Sequence, residues 1–251
     1  MAGNFDVSET HIVEVVINEQ PLKIRRQWGL WDAVVCLAGA QILGLIVGLA
    51  LIVSAAPIGV LIIVGSAAPW LLLAGWPLFA TSRWGNGPRI DLHLRLSWSD
   101  VRWGVLAGIV GLLCAAIIAA ITTLIVGDFT SLAAEAAEEL VQSASFTSLF
   151  IFAVMLMVGA PIAEELAFRG LLFGALQRRG VGAFWTIVIT AVVFAAFHFE
   201  PTRFFVLLAP GLAFGFVRWK TGSLGAAMVA HGVNNAPAAV FLLIGLPEVT
   251  P

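Results

Sequence analysis

Charge is what this chain has least of. Only 11% of its 251 residues are Asp, Glu, Lys or Arg, against roughly 25% in a soluble domain, which is too little to coat a water-soluble globule. Hydrophobic residues make up 60% of the chain and the mean hydropathy is +1.00. Ten-residue stretches of alternating apolar and polar side chains, the mark of a transmembrane barrel, are missing. In their place stand nearly charge-free runs of about twenty residues, the length a helix needs to cross the hydrocarbon core. The sequence therefore predicts an all-α polytopic membrane protein, with about 7–8 transmembrane helices in one bundle.

Other absences narrow the function. Net charge is -2 and no basic run of the nucleic-acid-binding kind occurs. The expected partners are instead the lipid bilayer and a membrane-associated peptide or protein. Cys36 and Cys114 lie in apolar spans without forming a CxxC pair, so both read as small core residues. No HExxH sets two histidines on one helix face. No internal repeat and no pair of Gly/Pro-broken segments in two halves marks a transporter. The first thirty residues lack an apolar core directly after a basic start, so they are not a cleaved signal peptide. They form a polar extension, with a short strand or helix expected at "HIVEVVIN" (11–18).

The apolar spans fall near 31–55, 58–80, 102–126, 146–177, 181–199, 203–218 and 222–245. The fourth is too long for one straight crossing: 32 residues rise about 48 Å against a core of about 30 Å. Gly159 and Pro161 predict a kink or a break there. Basic residues orient the bundle. Lys23, Arg25, Arg26, Arg83, Arg89, Arg95, Arg102, Arg178, Arg179, Arg218 and Lys220 fall on one side, Arg203 alone on the other, beside the purely acidic loop 127–145. Seven crossings with a cytoplasmic N-terminus satisfy this pattern, in the plasma membrane if the source is bacterial. The expected divisions are a polar extension (1–30), N-terminal transmembrane helices and loop (31–95), a helical core (96–245) and a short tail (246–251). The pairs Gly44/Gly48, Gly104/Gly108 and Gly211/Gly215 predict close helix packing.

Few strongly polar side chains remain at membrane depth: Glu164, Glu165, Arg169, His198, His231, Asn234 and Asn235. Charges there cost at least about 2.5–3.5 kcal/mol each, which makes them functional candidates. Glu165 and Arg169 are four residues apart, where opposite charges on a helix meet, so Arg169 neutralises Glu165. Glu164 lies about 100° further round the helix and needs a partner from elsewhere; a carboxylate so placed suits a general base. His231 and Asn235 are also four apart and share a stripe. On straight helices Glu164 lies about 21 Å, His198 about 26 Å and His231 about 14 Å from the basic side, so their meeting depends on tilts and kinks. A carboxylate, two histidines and an amide suffice to activate water and hold an oxyanion.

Three stretches, "EELAFR" (164–169), "FAAFH" (194–198) and "HGVNN" (231–235), resemble the EExxxR, FxxxH and HxxxN signatures of the CAAX-protease and bacteriocin-processing intramembrane proteases, the CPBP or Abi family. The resemblance covers roughly 95–245, including "DLHLRLSWSDVRWG" (91–104). It implies an intramembrane endopeptidase in which Glu164 is the general base, His198 helps to activate water, His231 and Asn235 stabilise the oxyanion, and Glu165 and Arg169 shape the site. No cofactor is expected, because an asparagine in the cluster suits an oxyanion donor better than a ligand. The alternative is a metalloprotease whose zinc is held by Glu164, His198 and His231. Competing functions are a proton-coupled membrane transporter and a non-catalytic immunity or scaffold protein.

Overall fold

The computed structural model describes residues 27–130, 132–143 and 146–244; the expected element at 11–18 lies outside them. The described residues are helical, without strands. Helix α1 is Leu30–Val53, α2 the broken span Ile58–Trp84, α3 Trp98–Val126, α4 Leu132–Ser143, α5 Phe146–Arg178, α6 Ala183–Phe197, α7 Phe204–Thr221 and α8 Leu224–Leu243. A one-turn helix, Pro88–Asp91, follows α2. Among the described residues six helices are long and apolar enough to cross a bilayer, and the apolar α6 is shorter. The protein is a polytopic helical membrane bundle.

Local chemistry explains the boundaries. Ser97 caps α3: its hydroxyl accepts from Asp100 N, and the Asp100 carboxylate accepts from Ser97 N, satisfying donors that a helix start leaves free. Asp32 serves the Gly29 amide in the same way at α1. Gly222, in the left-handed conformation at φ +62, ends α7 and lets α8 begin two residues later. Large apolar side chains such as Leu124 and Val53, 86% and 85% exposed, face outward, as lipid contact requires.

The long span α5 neither breaks at Gly159 nor splits into two crossings. It runs unbroken for 33 residues, with π-helical turns at Met155–Gly159 and Leu166–Leu172 flanking a single α-helical turn, Ala160–Glu165. Wide turns of this kind accommodate Pro161 without ending the helix. Six helices long enough to cross a bilayer, with the shorter α6, thus account for the apolar spans.

Small residues bring the core helices together. A Cβ on Gly104 would lie 2.7 Å from Ala226 O, and one on Gly108 2.5 Å from Ala230 O, so α3 touches the α8 backbone. Gly211 and Gly215 let α7 approach Ala191 and Ile187 of α6. Gly44 packs on Pro69, but Gly48 has no neighbour within 4 Å; that pair makes half an interface. Gly108→Val is therefore expected to destabilise the bundle by about 1–3 kcal/mol or more, read as an earlier thermal unfolding transition in detergent.

Candidate active site

The polar set at membrane depth gathers around the single α-helical turn between the two π segments of α5. Glu165 and Arg169, both fully buried, pair as their spacing predicts: Arg169 Nη1 donates to Glu165 Oε1 at 2.9 Å. Arg169 Nη2 donates to Gly211 O at 2.8 Å, at the point where a glycine lets α7 come close. The same Glu165 Oε1 accepts from His231 Nδ1 at 3.0 Å. One carboxylate oxygen therefore joins α5 to α8.

That contact decides how His231 can act. With Nδ1–H directed at Glu165, Nε2 is left to face Glu164, whose Oε2 lies 3.8 Å away. This is too long for a hydrogen bond, and Glu164 Oε2 is buried with no hydrogen-bond partner among the described residues. The two glutamates thus take different tasks, as their 100° separation implies. Glu165 is tied through Oε1 to both Arg169 and His231, its Oε2 also lacking a partner, while Glu164 has its free oxygen facing His231 Nε2.

An aromatic frame holds the rings. Phe214 stacks on His231, with centroids 4.7 Å apart and planes at 21°. Phe194 stands edge-on to both imidazoles, 5.6 Å from His231 and 4.9 Å from His198. The Arg169 guanidinium lies over Phe194 and Phe214 at 4.7 and 5.4 Å, which suits a cation removed from water. His198 lies at the end of α6, and its Nδ1–H is given to Phe194 O at 2.8 Å, so Nε2 carries the lone pair. Gln41 of α1 donates to the neighbouring Phe197 O at 2.8 Å, bracing that helix end. His198 thus stands across one phenyl ring from His231, in contact with the same Phe194.

Asn235 has a structural task besides any chemical one. Its Nδ2 donates to Leu156 O at 3.0 Å. In a π turn Leu156 O would accept from residue 161, and proline has no N–H to give. The side chain of α8 supplies the missing donor, and Asn234 in turn donates to Asn235 Oδ1 at 3.2 Å. Asn235→Ala should therefore cost about 1–3 kcal/mol through the orphaned carbonyl. Pro161→Ala restores an amide hydrogen, so the double variant should lose less than the two single losses added together. Thermal unfolding of the four proteins in detergent measures this, and strict additivity would show that the two residues do not share the carbonyl.

Residues 146–237 match the family model of type II CAAX prenyl endopeptidases, Rce1-like. Over that segment the chain is similar to the CAAX endopeptidases. The match starts at the first residue of α5 and ends within α8, taking in Glu164, Glu165, Arg169, His198, His231 and Asn235. No curated protein and no solved structure matches the chain. The CAAX-endopeptidase-like segment is thus the helix set α5–α8 of an integral membrane protein.

Among the described residues no three His, Cys, Asp or Glu side chains are grouped so as to hold a metal ion. Sequence reasoning also missed several participants. Phe194 entered the sequence reading only as the first residue of the FxxxH stretch, without a role, and Phe214 did not enter it. Nothing in the spacing signalled that Glu165 would bond His231 as well as Arg169.

Proposed function

We propose that the protein is an intramembrane endopeptidase that hydrolyses a peptide bond of a membrane-associated protein or peptide without a metal. The observation carrying this reading is the buried, unpartnered Glu164 Oε2, 3.8 Å from a His231 imidazole that Glu165 orients. A base needs a free lone pair at the reacting centre, and this carboxylate has one that no fold contact uses.

Counting protons assigns the roles. This reading gives His231 a hydrogen on each nitrogen, Nδ1 directed at Glu165 and Nε2 at the reacting centre. Glu164 removes a proton from water while the lone pair of His198 Nε2 orients it, and the water oxygen bonds to the substrate carbonyl carbon. His231 Nε2–H and the second amide hydrogen of Asn235 hold the resulting oxyanion. Glu164 then delivers its proton to the leaving nitrogen as the C–N bond breaks. The family described as CAAX prenyl endopeptidases supports the reaction class.

The deciding experiment compares the membrane peptides of cells carrying the wild type with those of cells carrying Glu164→Gln. Wild-type cells should contain cleavage products that the variant lacks, which identifies the substrate at once. Identical peptide sets would remove the protease reading. Purified enzyme should cleave that substrate equally well before and after exhaustive chelation, whereas activity lost to chelation and restored by zinc would establish the metal route.

A further inference from the structure

Gln41 is the one amide side chain in α1. Counted from Leu30 it lies about 17 Å along the helix, at a depth where an unanswered amide is costly. The answer comes from another helix: Gln41 Nε2 donates to Phe197 O at 2.8 Å, its one hydrogen bond among the described residues. Phe197 is the last residue of α6, and His198 follows it directly. The whole of α1 lies outside residues 146–237, the stretch similar to the CAAX endopeptidases.

Phe197 O is a carbonyl that the backbone does not serve. In a continuing helix its donor would come from four residues on, and that residue is Pro201, which has no N–H. The chain has by then turned away at Phe199, φ +54, a left-handed conformation that a non-glycine residue rarely adopts. His198 N and Phe199 N turn back to Ala195 O and Ala196 O at 3.4 and 3.1 Å, and no backbone amide among the described residues donates to Phe197 O. Beyond the turn, Glu200 accepts from Arg203 Nη1 at 2.6 Å and from Leu132 N at 3.3 Å. The near side of the turn rests on Gln41. Helix α1 is firmly placed for this: Cys36 Sγ donates to Leu72 O of α2 at 3.2 Å, and Ala33, Cys36 and Ala40 are buried in one apolar cluster with Phe168 and Leu171 of α5.

We propose that Gln41 is a positioning residue for His198, which makes α1 a working part of the site. Its consequence for cleavage rests on the protease reading of the Glu164 site; its geometry does not. The His198 ring is held by one hydrogen bond, from Nδ1–H to Phe194 O at 2.8 Å, across the last turn of α6. A helix end leaves its final carbonyls without amides, and away from water such a carbonyl must find another donor. Without Gln41, Phe197 O regains a partner only by rotating its peptide plane, and that plane carries the His198 amide. The rotation swings the His198 Cα–Cβ bond and draws Nδ1 away from Phe194 O. That bond selects the tautomer in which Nε2 offers its lone pair, so losing it admits the Nε2–H form, which has no lone pair there to orient water.

The tautomer is read without substrate, by magic-angle-spinning NMR of full-length protein in phosphatidylcholine proteoliposomes at alkaline pH. With ¹⁵N in the histidine rings, the His198 signals, assigned by their loss in His198→Gln, should report Nδ1–H alone in the wild type. Gln41→Met keeps the side-chain length and removes the donor, and should shift His198 to a mixture containing Nε2–H. Cys36→Ala removes a different contact of α1 and should leave the His198 tautomer as in the wild type. An unchanged tautomer in Gln41→Met, or the same change in Cys36→Ala, would overturn the proposal. Should Gln41→Met fail to fold, the wild type decides alone: a cross-peak is expected between the Gln41 side-chain nitrogen and the Phe197 carbonyl carbon, and its absence removes the bond on which the positioning depends. Cleavage is measured separately, on the substrate found by peptide comparison, where Gln41→Met should lower kcat about 10–10²-fold at unchanged KM. A shifted tautomer with undiminished cleavage would uphold the positioning of His198 and strip that histidine of its part in the protease reading.

Discussion

Glu164→Gln is expected to lower kcat by about 10²–10⁴-fold while leaving KM and thermal stability near their wild-type values. Glutamine keeps the volume and one acceptor oxygen but cannot take up a proton. Little in the fold depends on the ionised group: Glu164 Oε2 has no hydrogen bond among the described residues, and its nearest charged neighbour is His231 Nε2 at 3.8 Å. Glu164→Asp retains the base and withdraws it by one methylene, a displacement of the order that costs about 10²-fold when reacting groups are misplaced by 1 Å. The aspartate variant should therefore lie between wild type and glutamine. Single-turnover cleavage in proteoliposomes measures both, with the substrate found by peptide comparison. Full activity in the glutamine variant would end the general-base assignment.

Arg169→Met is expected to damage the protein itself. It removes the donors on Glu165 Oε1 and Gly211 O and leaves a carboxylate at 0% exposure without its counter-charge. Breaking a buried pair in this way costs about 3–5 kcal/mol, a large part of a typical stability of about 5–15 kcal/mol. Adding Glu165→Gln to Arg169→Met removes the stranded charge and should recover much of the lost thermal stability. Activity should stay depressed in that double variant, because the carboxylate that orients His231 Nδ1 is gone. Thermal unfolding and cleavage measured on the same preparations separate the two effects. A single Arg169→Met protein as stable as wild type would show that the pair does not hold α5 against α7.

What could be read ahead of the structure follows one rule. Contacts within a helix obey a period of 3.6 residues, so the pairing of Glu165 with Arg169 and the separation of Glu164 from both were visible in "EELAFR". Glycines four apart likewise predicted where backbones meet, correctly at 104/108 and 211/215 and only by half at 44/48. Straight-helix counting placed Glu164 and His231 about 7 Å apart in depth, yet their charged atoms lie 3.8 Å apart. The π turns on either side of Glu164 change rise and rotation locally, and no periodicity in the sequence announces them.

The amino-acid sequence alone determined a lipid-embedded helical bundle, because so little charge leaves no other way to satisfy the backbone away from water. It also determined which polar residues had to be answered inside that bundle. Only tertiary structure decided who answers whom: Glu165 bonding an imidazole 66 residues away, and Asn235 serving the carbonyl that Pro161 leaves open. The physical reason is that such contacts depend on the rotation, depth and crossing angle of one helix against another. Those are set jointly by all the packed side chains, and no single stretch of chain encodes them.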